Sequence, residues 1–382
     1  MLQMEPNKQH TALIISPLNA LMENQIATLR KLGVTCIALH THSKTDISSL
    51  HCSDYRLIFT SPEIALSSKF QSLLHAKLRK FICLVAMDEA HCITQWGQST
   101  FRPDYANMAD LIAVIPWAPV LILTATMTPD MKRDTLALLN ITHYKTVAVS
   151  PDRPEIFLDV RKSSDTCLDW LVSELKTKKQ LTDKTIVYCR SVNQVTLLFE
   201  TLLEKLGQAM YTQSSSKRED NLLVEVYSAA VDESTKVRVL RLFSIESNLR
   251  VVISTVAFGM GIDIPDIRNV LLWGVPAGIC EYWQQVGRAC RDHGSGQTIL
   301  FTHPVPTKLP VCKLLKEDMA PNSDVCYRSA ILRRLWLPEM GQFPTKPAMC
   351  RKKCKETCQC RCCMCCTVCR KMCPCQMKQN QE

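Results

Sequence analysis

Two adjacent carboxylates close an apolar run in Leu84-Val-Ala-Met-Asp-Glu-Ala-His91. An acid at the end of a buried strand can hold Mg2+ through its water shell, and a second acid beside it can polarise an attacking water. Asp88 and Glu89 are therefore candidates for metal-assisted phosphoryl chemistry. An Asp-Glu pair by itself fits an exposed loop as well. Further on, Arg288-X-X-Arg291 follows Gln284-X-X-Gly287. Guanidinium pairs can neutralise charge on a phosphoryl group, whereas the same spacing on an ordinary helix is a solvated face. A third group is the run of eleven cysteines between Cys350 and Cys375, out of 21 in the chain. Thiols at Cys-X-X-Cys spacing favour four-coordinate zinc in a reducing setting. A tail that takes up soft metals without a fixed fold, or a frame artefact of the gene model, would give the same composition.

Strands and helices have to position these groups. Thr11–Ile15 reads as a buried strand, followed by Leu18, Leu21, Met22, Ile26, Leu29 and Leu32 at helical spacing, with Gly33 as C-terminal cap. Further apolar runs lie at 36–39, 57–60, 84–87 and 120–124. Continuous apolar runs separated by helices predict a parallel sheet covered on both faces. After Ser150-Pro-Asp-Arg-Pro154, read as a linker, a second series lies at 185–188, 250–254, 269–272 and 298–301. Of only 11 glycines, seven fall between Gly259 and Gly296, a concentration that marks close backbone approaches. Residues 304–347 are proline-punctuated around one helix-like stretch, 325–335.

Composition bounds the rest. The 382 residues are 46% hydrophobic and 21% charged, ordinary for a globular chain with a real core. No apolar run reaches the ~18 residues of a membrane span, and the first residues lack a signal-peptide core, so a soluble intracellular protein without a membrane partner is expected. The net charge of +10 is uneven: residues 350–382 carry eight basic side chains against Glu356 and Glu382. Such a tail suggests an anionic partner, nucleic acid first, or a solvated end. The ten cysteines before residue 350 read as buried free thiols.

At this point the sequence resembles a family. Asp88-Glu-Ala-His-Cys-Ile-Thr-Gln-Trp-Gly97 followed by Phe101-Arg-Pro-Asp-Tyr105 is similar to motif II and the aromatic-rich loop of RecQ helicases. Ser16 to Gln25 resembles motif Ia, Thr60-Ser-Pro-Glu63 motif Ib, and Leu123-Thr-Ala-Thr126 motif III. Val187 to Ser191 resembles motif IV, Thr255 to Asp263 motif V, and Tyr282 to Asp292 motif VI. The resemblance implies an α/β chain of two tandem RecA-like parallel-sheet domains followed by a small Cys-rich, zinc-binding region. The expected boundaries are 1–146, 147–304, 305–366 for the zinc-binding-like region, and 367–382 for a Cys/Lys-rich tail. It also implies an ATP-dependent 3′–5′ DNA helicase with ATP and Mg2+ as cofactors, DNA as substrate, a nuclear location, and repair proteins as partners.

The roles it implies are specific. Asp88 holds Mg2+, Glu89 is the general base, and His91 belongs to the same catalytic group. Arg288 and Arg291 act as arginine fingers, and Gln284 faces the γ-phosphate. Thr255, Gly261 and Asp263 link the nucleotide to the second domain. Ser16, Ser61, Arg190 and Ser191 contact DNA phosphates, while Trp96, Phe101 and Arg102 sit in the loop that couples DNA to the nucleotide. Taken alone, Trp96 reads as a core aromatic, and Thr124 with Thr126, the coupling motif, equally as a turn. Cys326 on its helix, with Cys360, Cys363 and Cys366, is the implied zinc set, against competing registers through Cys362, Cys365 and Cys369.

Four features depart from the family pattern. No Gly-X-X-X-X-Gly-Lys-Ser/Thr occurs in the 382 residues, so ATP binding energy is expected to be reduced and apolar sheet edges exposed. An incomplete gene model or a degenerate copy would account for it. Gln98 replaces a histidine and Gln98-Ser-Thr100 is one residue longer than the family pattern; Cys290 replaces a glycine; and Tyr227-Ser-Ala229 follows an insertion at Ser214-Ser-Ser216. A catalytically inactive remnant that binds nucleic acid or a partner is the second reading, and a metal-storage tail on an inert scaffold the third.

Overall fold

The computed structural model describes residues 10–41, 47, 50, 54–97, 102–212, 221–259, 263–302, 311–321, 323–344 and 360–373. The chain divides into two compact units, Met1–Ala148 and Val149–Glu382.

In unit 1, strands β1 (Thr11–Ile15), β2 (Cys36–Leu39), β3 (Leu57–Thr60), β4 (Ile82–Met87) and β5 (Val120–Ile122) form one sheet in the order β2-β3-β1-β4-β5. Every pairing is parallel. Parallel neighbours need crossovers, and α1 (Asn19–Lys31), α2 (Pro62–Ala65), α3 (Ser68–Leu73), α4 (His91–Gly97), α5 (Met108–Val114) and α6 (Pro129–Leu138) run between or after the strands. Leu13, Ile15, Leu39, Ile58, Val85 and Met87 from the strands meet Phe70, Leu74 and Leu111 from the helical side in one core. The helix expected after β1 ends as read: Gly33 sits at φ 76, a backbone that costs glycine little. The apolar run read as extending to Thr124 forms a strand only to Ile122, at the sheet edge, where Leu121 and Leu123 are exposed.

Unit 2 holds β6 (Ile156–Lys162), α7 (Asp169–Lys178), β7 (Lys184–Cys189), α8 (Val192–Leu206), β8 (Val224–Tyr227), α9 (Glu233–Ser244), β9 (Val251–Ser254), β10 (Ile267–Trp273), α10 (Ile279–Val286) and β11 (Gly296–Thr302). Its parallel sheet runs β6-β11-β10-β7-β9-β8. The two outer strands, β6 and β8, were not read from sequence. Each carries a buried acid, Asp159 or Glu225, that interrupts its apolar run; the acids are offset by Arg161 at 2.6 Å and Arg238 at 2.7 Å. Tyr227, read as part of a turn, is the last residue of β8.

Beyond the sheet come α11 (Lys313–Asp318), α12 (Tyr327–Leu335) and α13 (Thr367–Met372). Residues 360–373 of the cysteine-rich segment are tied to β6. Leu158 of β6 forms a parallel bridge with Cys366, Leu158 N–H donates to Cys365 O at 3.2 Å, and Thr367 Oγ1 bonds Asp159. At the 366/367 position Cys366 caps α13, its side chain accepting from Cys369 N–H.

Candidate nucleotide and nucleic-acid site

The acidic pair sits in the loop leaving β4, and its neighbours hold that loop on both sides. Asp88 N–H donates to Ile15 O at the end of β1, and Ala90 N–H to Leu123 O beyond β5, each at 2.9 Å. Asp88 Oδ1 accepts from Glu89 N–H at 2.9 Å and Oδ2 from Gln25 Nε2 at 3.3 Å. Gln25 was not singled out as a site residue, although it closes the Ser16–Gln25 motif on α1. Glu89 adopts φ 50, a left-handed backbone that costs a residue with a Cβ roughly 1–2 kcal/mol. Strain of this kind persists where surrounding bonds over-determine the turn, as they do here.

From that turn a hydrogen-bond chain runs inward. His91 Nδ1 lies 3.3 Å from Glu89 Oε2 and 3.1 Å from Thr124 Oγ1, and Thr124 Oγ1 donates to Thr126 O at 2.9 Å. With its proton committed to Thr126, the Thr124 hydroxyl accepts from His91, which assigns the His91 proton to Nδ1. Burial lowers the His91 pKa to about 4, so the ring is neutral at pH 7. Glu89, His91, Thr124 and Thr126 are thus one connected unit, and the threonines are more than a turn.

The residues expected to meet DNA in unit 1 converge on the C-terminal ends of β1 and β3, the end where ligands bind in open parallel sheets. Ser16 N–H donates to Thr60 O at 3.0 Å. Ser16 is fully buried and its hydroxyl has no hydrogen-bond partner among the described residues. The Ser61 hydroxyl is buried and caps α2 through Ile64 N–H at 3.4 Å. Neither hydroxyl is presented to solvent. Arg102 bonds the Pro17 carbonyl and lies 3.4 Å from Glu63, tying together the three segments that resemble motifs Ia, Ib and the aromatic-rich loop. Trp96 lies on α4, while Gln98 to Phe101 and the Ser214–Ser216 insertion fall outside the described residues.

In unit 2, Ser191 caps α8 through Gln194 N–H, and Arg190 pairs with Glu281 at 3.3 Å. Burial raises the Glu281 carboxyl pKa, against the Arg190 charge. Thr255 follows β9; Gln284 lies on α10 and Arg288 just past it, both half-buried. Arg291 pairs with Asp263 at 2.8 Å; Asp263 is well exposed, so the pair is worth at most about 1 kcal/mol and is readily exchanged for another anion. Burial pushes the Tyr188 hydroxyl up to about 12, with Arg288 and Arg291 opposing. Both arginines therefore direct positive charge toward the end of β7. Gly261 falls outside the described residues.

Two positions gain meaning only here. Arg153, in the segment read as a linker, donates to Gly287 O at 3.1 Å, Ala289 O at 2.8 Å and Cys290 O at 3.0 Å, pinning the loop that carries Arg288 and Arg291. Cys290 in that loop has φ 54, and a Cβ added at Gly296 would meet its Sγ at 2.4 Å. A left-handed residue explains why the family pattern has glycine there.

The cysteines fall into two groups, each with its sulfurs within 4.8 Å of one another: Cys326, Cys365, Cys366 and Cys369, and separately Cys360, Cys363 and Cys373. The set expected from spacing therefore divides, with Cys326 and Cys366 in the first group and Cys360 and Cys363 in the second. The Leu158–Cys366 bridge and the α13 cap turn Cys365, Cys366 and Cys369 toward Cys326 on α12. Cys326 Sγ lies 3.6 Å from Cys365 Sγ and 3.9 Å from Cys366 Sγ. Four sulfurs each 2.3 Å from a tetrahedral zinc would stand about 3.8 Å apart, so the donor set fits a metal ion of that kind.

The parallel sheets, the acidic loop of unit 1 and the arginine loop of unit 2 place the chain in the DEAD/DEAH class of helicase sequences. Residues 1–134 match the DEAD/DEAH box helicase family model and residues 166–293 the helicase conserved C-terminal domain. The fold resembles the structure of Mycobacterium smegmatis helicase Lhr bound to ssDNA and AMP-PNP, with a TM-score of 0.57 and 19% identity over 78% of this chain and 40% of that one. Two relatives are each 32% identical. The ATP-dependent DNA helicase RecQ of Haemophilus influenzae matches over 76% of this chain and 44% of its own length. The bifunctional 3′-5′ exonuclease/ATP-dependent helicase WRN of Mus musculus matches over 73% of this chain and 19% of its own. The chain belongs to the RecQ family of helicases and spans less than half the length of these two relatives.

Proposed function

We propose that this chain is the motor of an ATP-dependent DNA helicase that translocates 3′ to 5′ on DNA in the nucleus and serves repair or recombination with partner proteins. The observation that carries the reading is the connected set Asp88, Glu89, His91, Thr124 and Thr126, which joins an acidic pair to the end of the neighbouring strand. Bound ATP and Mg2+ would supply the phosphoryl group and the charge that organises it. Asp88 has a carboxylate that would hold the ion through water, and Glu89, partly exposed and 3.3 Å from His91, has one that would polarise a water nucleophile. Neutral His91 passes a shift of Glu89 to Thr124 and so to the segment after β5. Arg288, Arg291 and Gln284 supply the positive and polar groups for the transferred phosphoryl, Thr255, Gly261 and Asp263 the nucleotide link in unit 2. Ser16 and Ser61 in unit 1, and Arg190 and Ser191 in unit 2, are the positions that would contact a DNA backbone. Trp96, Phe101 and Arg102 couple that strand to the acidic loop. The group of Cys326, Cys365, Cys366 and Cys369 holds Zn2+.

The test is ATP hydrolysis by the 382-residue chain with and without single-stranded DNA. DNA-stimulated turnover abolished by Glu89→Gln supports the motor. The 382 residues contain no Gly-X-X-X-X-Gly-Lys-Ser/Thr cradle, which favours a second reading for this polypeptide taken alone: nucleic-acid binding without hydrolysis. Salt-sensitive DNA binding with no measurable nucleotide affinity selects it.

A further inference from the structure

We infer that Cys360, Cys363 and Cys373 form a second thiolate metal site, so that the chain takes up two soft metal ions side by side on unit 2. Cys360 Sγ and Cys373 Sγ stand 3.7 Å apart, as far as two ligands of one ion and too far for a disulfide bond. Cys363 lies within the same 4.8 Å limit, and Cys363 and Cys373 are buried.

The two cysteine groups share one local design. In the first, Cys369 N–H donates to Cys366 Sγ at 3.5 Å across a Cys-X-X-Cys turn. In the second, Cys363 N–H donates to Cys360 Sγ at 3.3 Å across the same spacing. An N–H aimed at sulfur favours the thiolate, the form that binds metal. Each turn is completed by a cysteine from elsewhere in the chain, Cys326 in the first group and Cys373 in the second. The second group is also anchored. Arg370 donates from Nε to Cys363 O at 3.0 Å, and its guanidinium lies over the Phe157 ring of β6 at 3.7 Å. Cys373, just past α13, donates its N–H to Arg370 O at 3.2 Å. Three sulfurs with no carboxylate or imidazole in the group select a soft d10 cation over Mg2+, Ca2+ or Mn2+. Copper(I) is satisfied by three thiolates, and zinc by three with a water or a further thiol in the fourth position. Arg361, Arg370 and Lys371 neighbour the three cysteines along the chain and make the local charge positive.

The test is metal content of the full chain, reduced, loaded with zinc and desalted, then measured by elemental analysis. Cys373→Ser and Cys360→Ser are each expected to lower the zinc content by one ion per chain, leaving the ion of the first group. Cys326→Ser is expected to remove that first ion and leave the second, so failure of either assignment is visible alone. Loading with copper(I) in place of zinc distinguishes the two cations by which is retained against a chelator of known affinity. Cobalt(II) titration of the unmutated chain is independent of any variant: two increments of thiolate charge-transfer absorption are expected. Unchanged zinc content in Cys373→Ser, or saturation of the cobalt signal at one ion per chain, overturns the proposal.

Discussion

Replacing Arg328 by methionine should loosen the cysteine-rich segment from unit 2 while leaving unit 1 untouched. Arg328 extends from α12 and is only 8% exposed. Its Nη1 donates to Asp152 Oδ1 and to Arg153 O, each at 2.7 Å. Its Nη2 donates to Ile156 O and to Cys365 O, the latter at 3.3 Å. One guanidinium thus joins four segments: α12, the 150–154 segment, the start of β6 and the cysteine turn. Methionine keeps most of the volume but takes the guanidinium donors from Asp152 and three carbonyls, of which Arg153 O and Cys365 O each keep one backbone donor. Breaking a buried pair by removing one partner costs about 3–5 kcal/mol. Asp152 is a quarter exposed and recovers some hydration, so the lower end, about 3 kcal/mol, is expected. Hydrogen exchange is the assay, because two-unit chains do not unfold in one step. At about 1.4 kcal/mol per decade, amide protection along Ile156–Lys162 and at Cys365 and Cys366 should fall roughly 100-fold, with β1 and β4 unchanged. A fall under about threefold in β6, or an equal fall in unit 1, would refute the clamp.

Other outcomes follow from single positions. At Cys290, with φ 54, glycine should be more stable than alanine by about 1 kcal/mol, because alanine loses the sulfur but keeps the left-handed Cβ; urea titration of the two variants decides it. His91 is neutral when folded, with a pKa of about 4, and titrates at 6.5 when unfolded. The unfolded chain therefore binds the proton first, and this contribution is complete above pH 6.5 and lost as pH falls to 4. The drop amounts to at most about 1.4 kcal/mol per pH unit, and thermal melts of His91→Asn should show a flatter acid limb. Ser191→Ala removes the cap of α8 and should cost about 1 kcal/mol, with Ser191→Asp restoring most of it by the same titration.

Local pattern was enough for much of the molecule. The buried runs at 11–15, 36–39 and 57–60 are strands with the read bounds, because a strand covered on both faces has no polar alternation to blur its ends. The acidic pair and the Arg-X-X-Arg loop were visible for a similar reason: each follows an apolar run at short range. The two edge strands were not, since Asp159 and Glu225 are tolerable there only through Arg161 and Arg238, partners that pairing in space supplies. Sequence spacing also left the cysteine registers open. Sulfurs three residues apart can be sorted between two ions in several ways, and the choice was made by the β6 bridge to Cys366, the cap on α13 and the position of α12. Arg153, read as part of a linker, and Arg328, read only as part of a helix-like stretch, became central because folding brings carbonyls of distant segments within their reach. Chemistry carried by neighbours along the chain is written in the sequence; chemistry that depends on which distant groups must satisfy one another is decided only when the chain is packed.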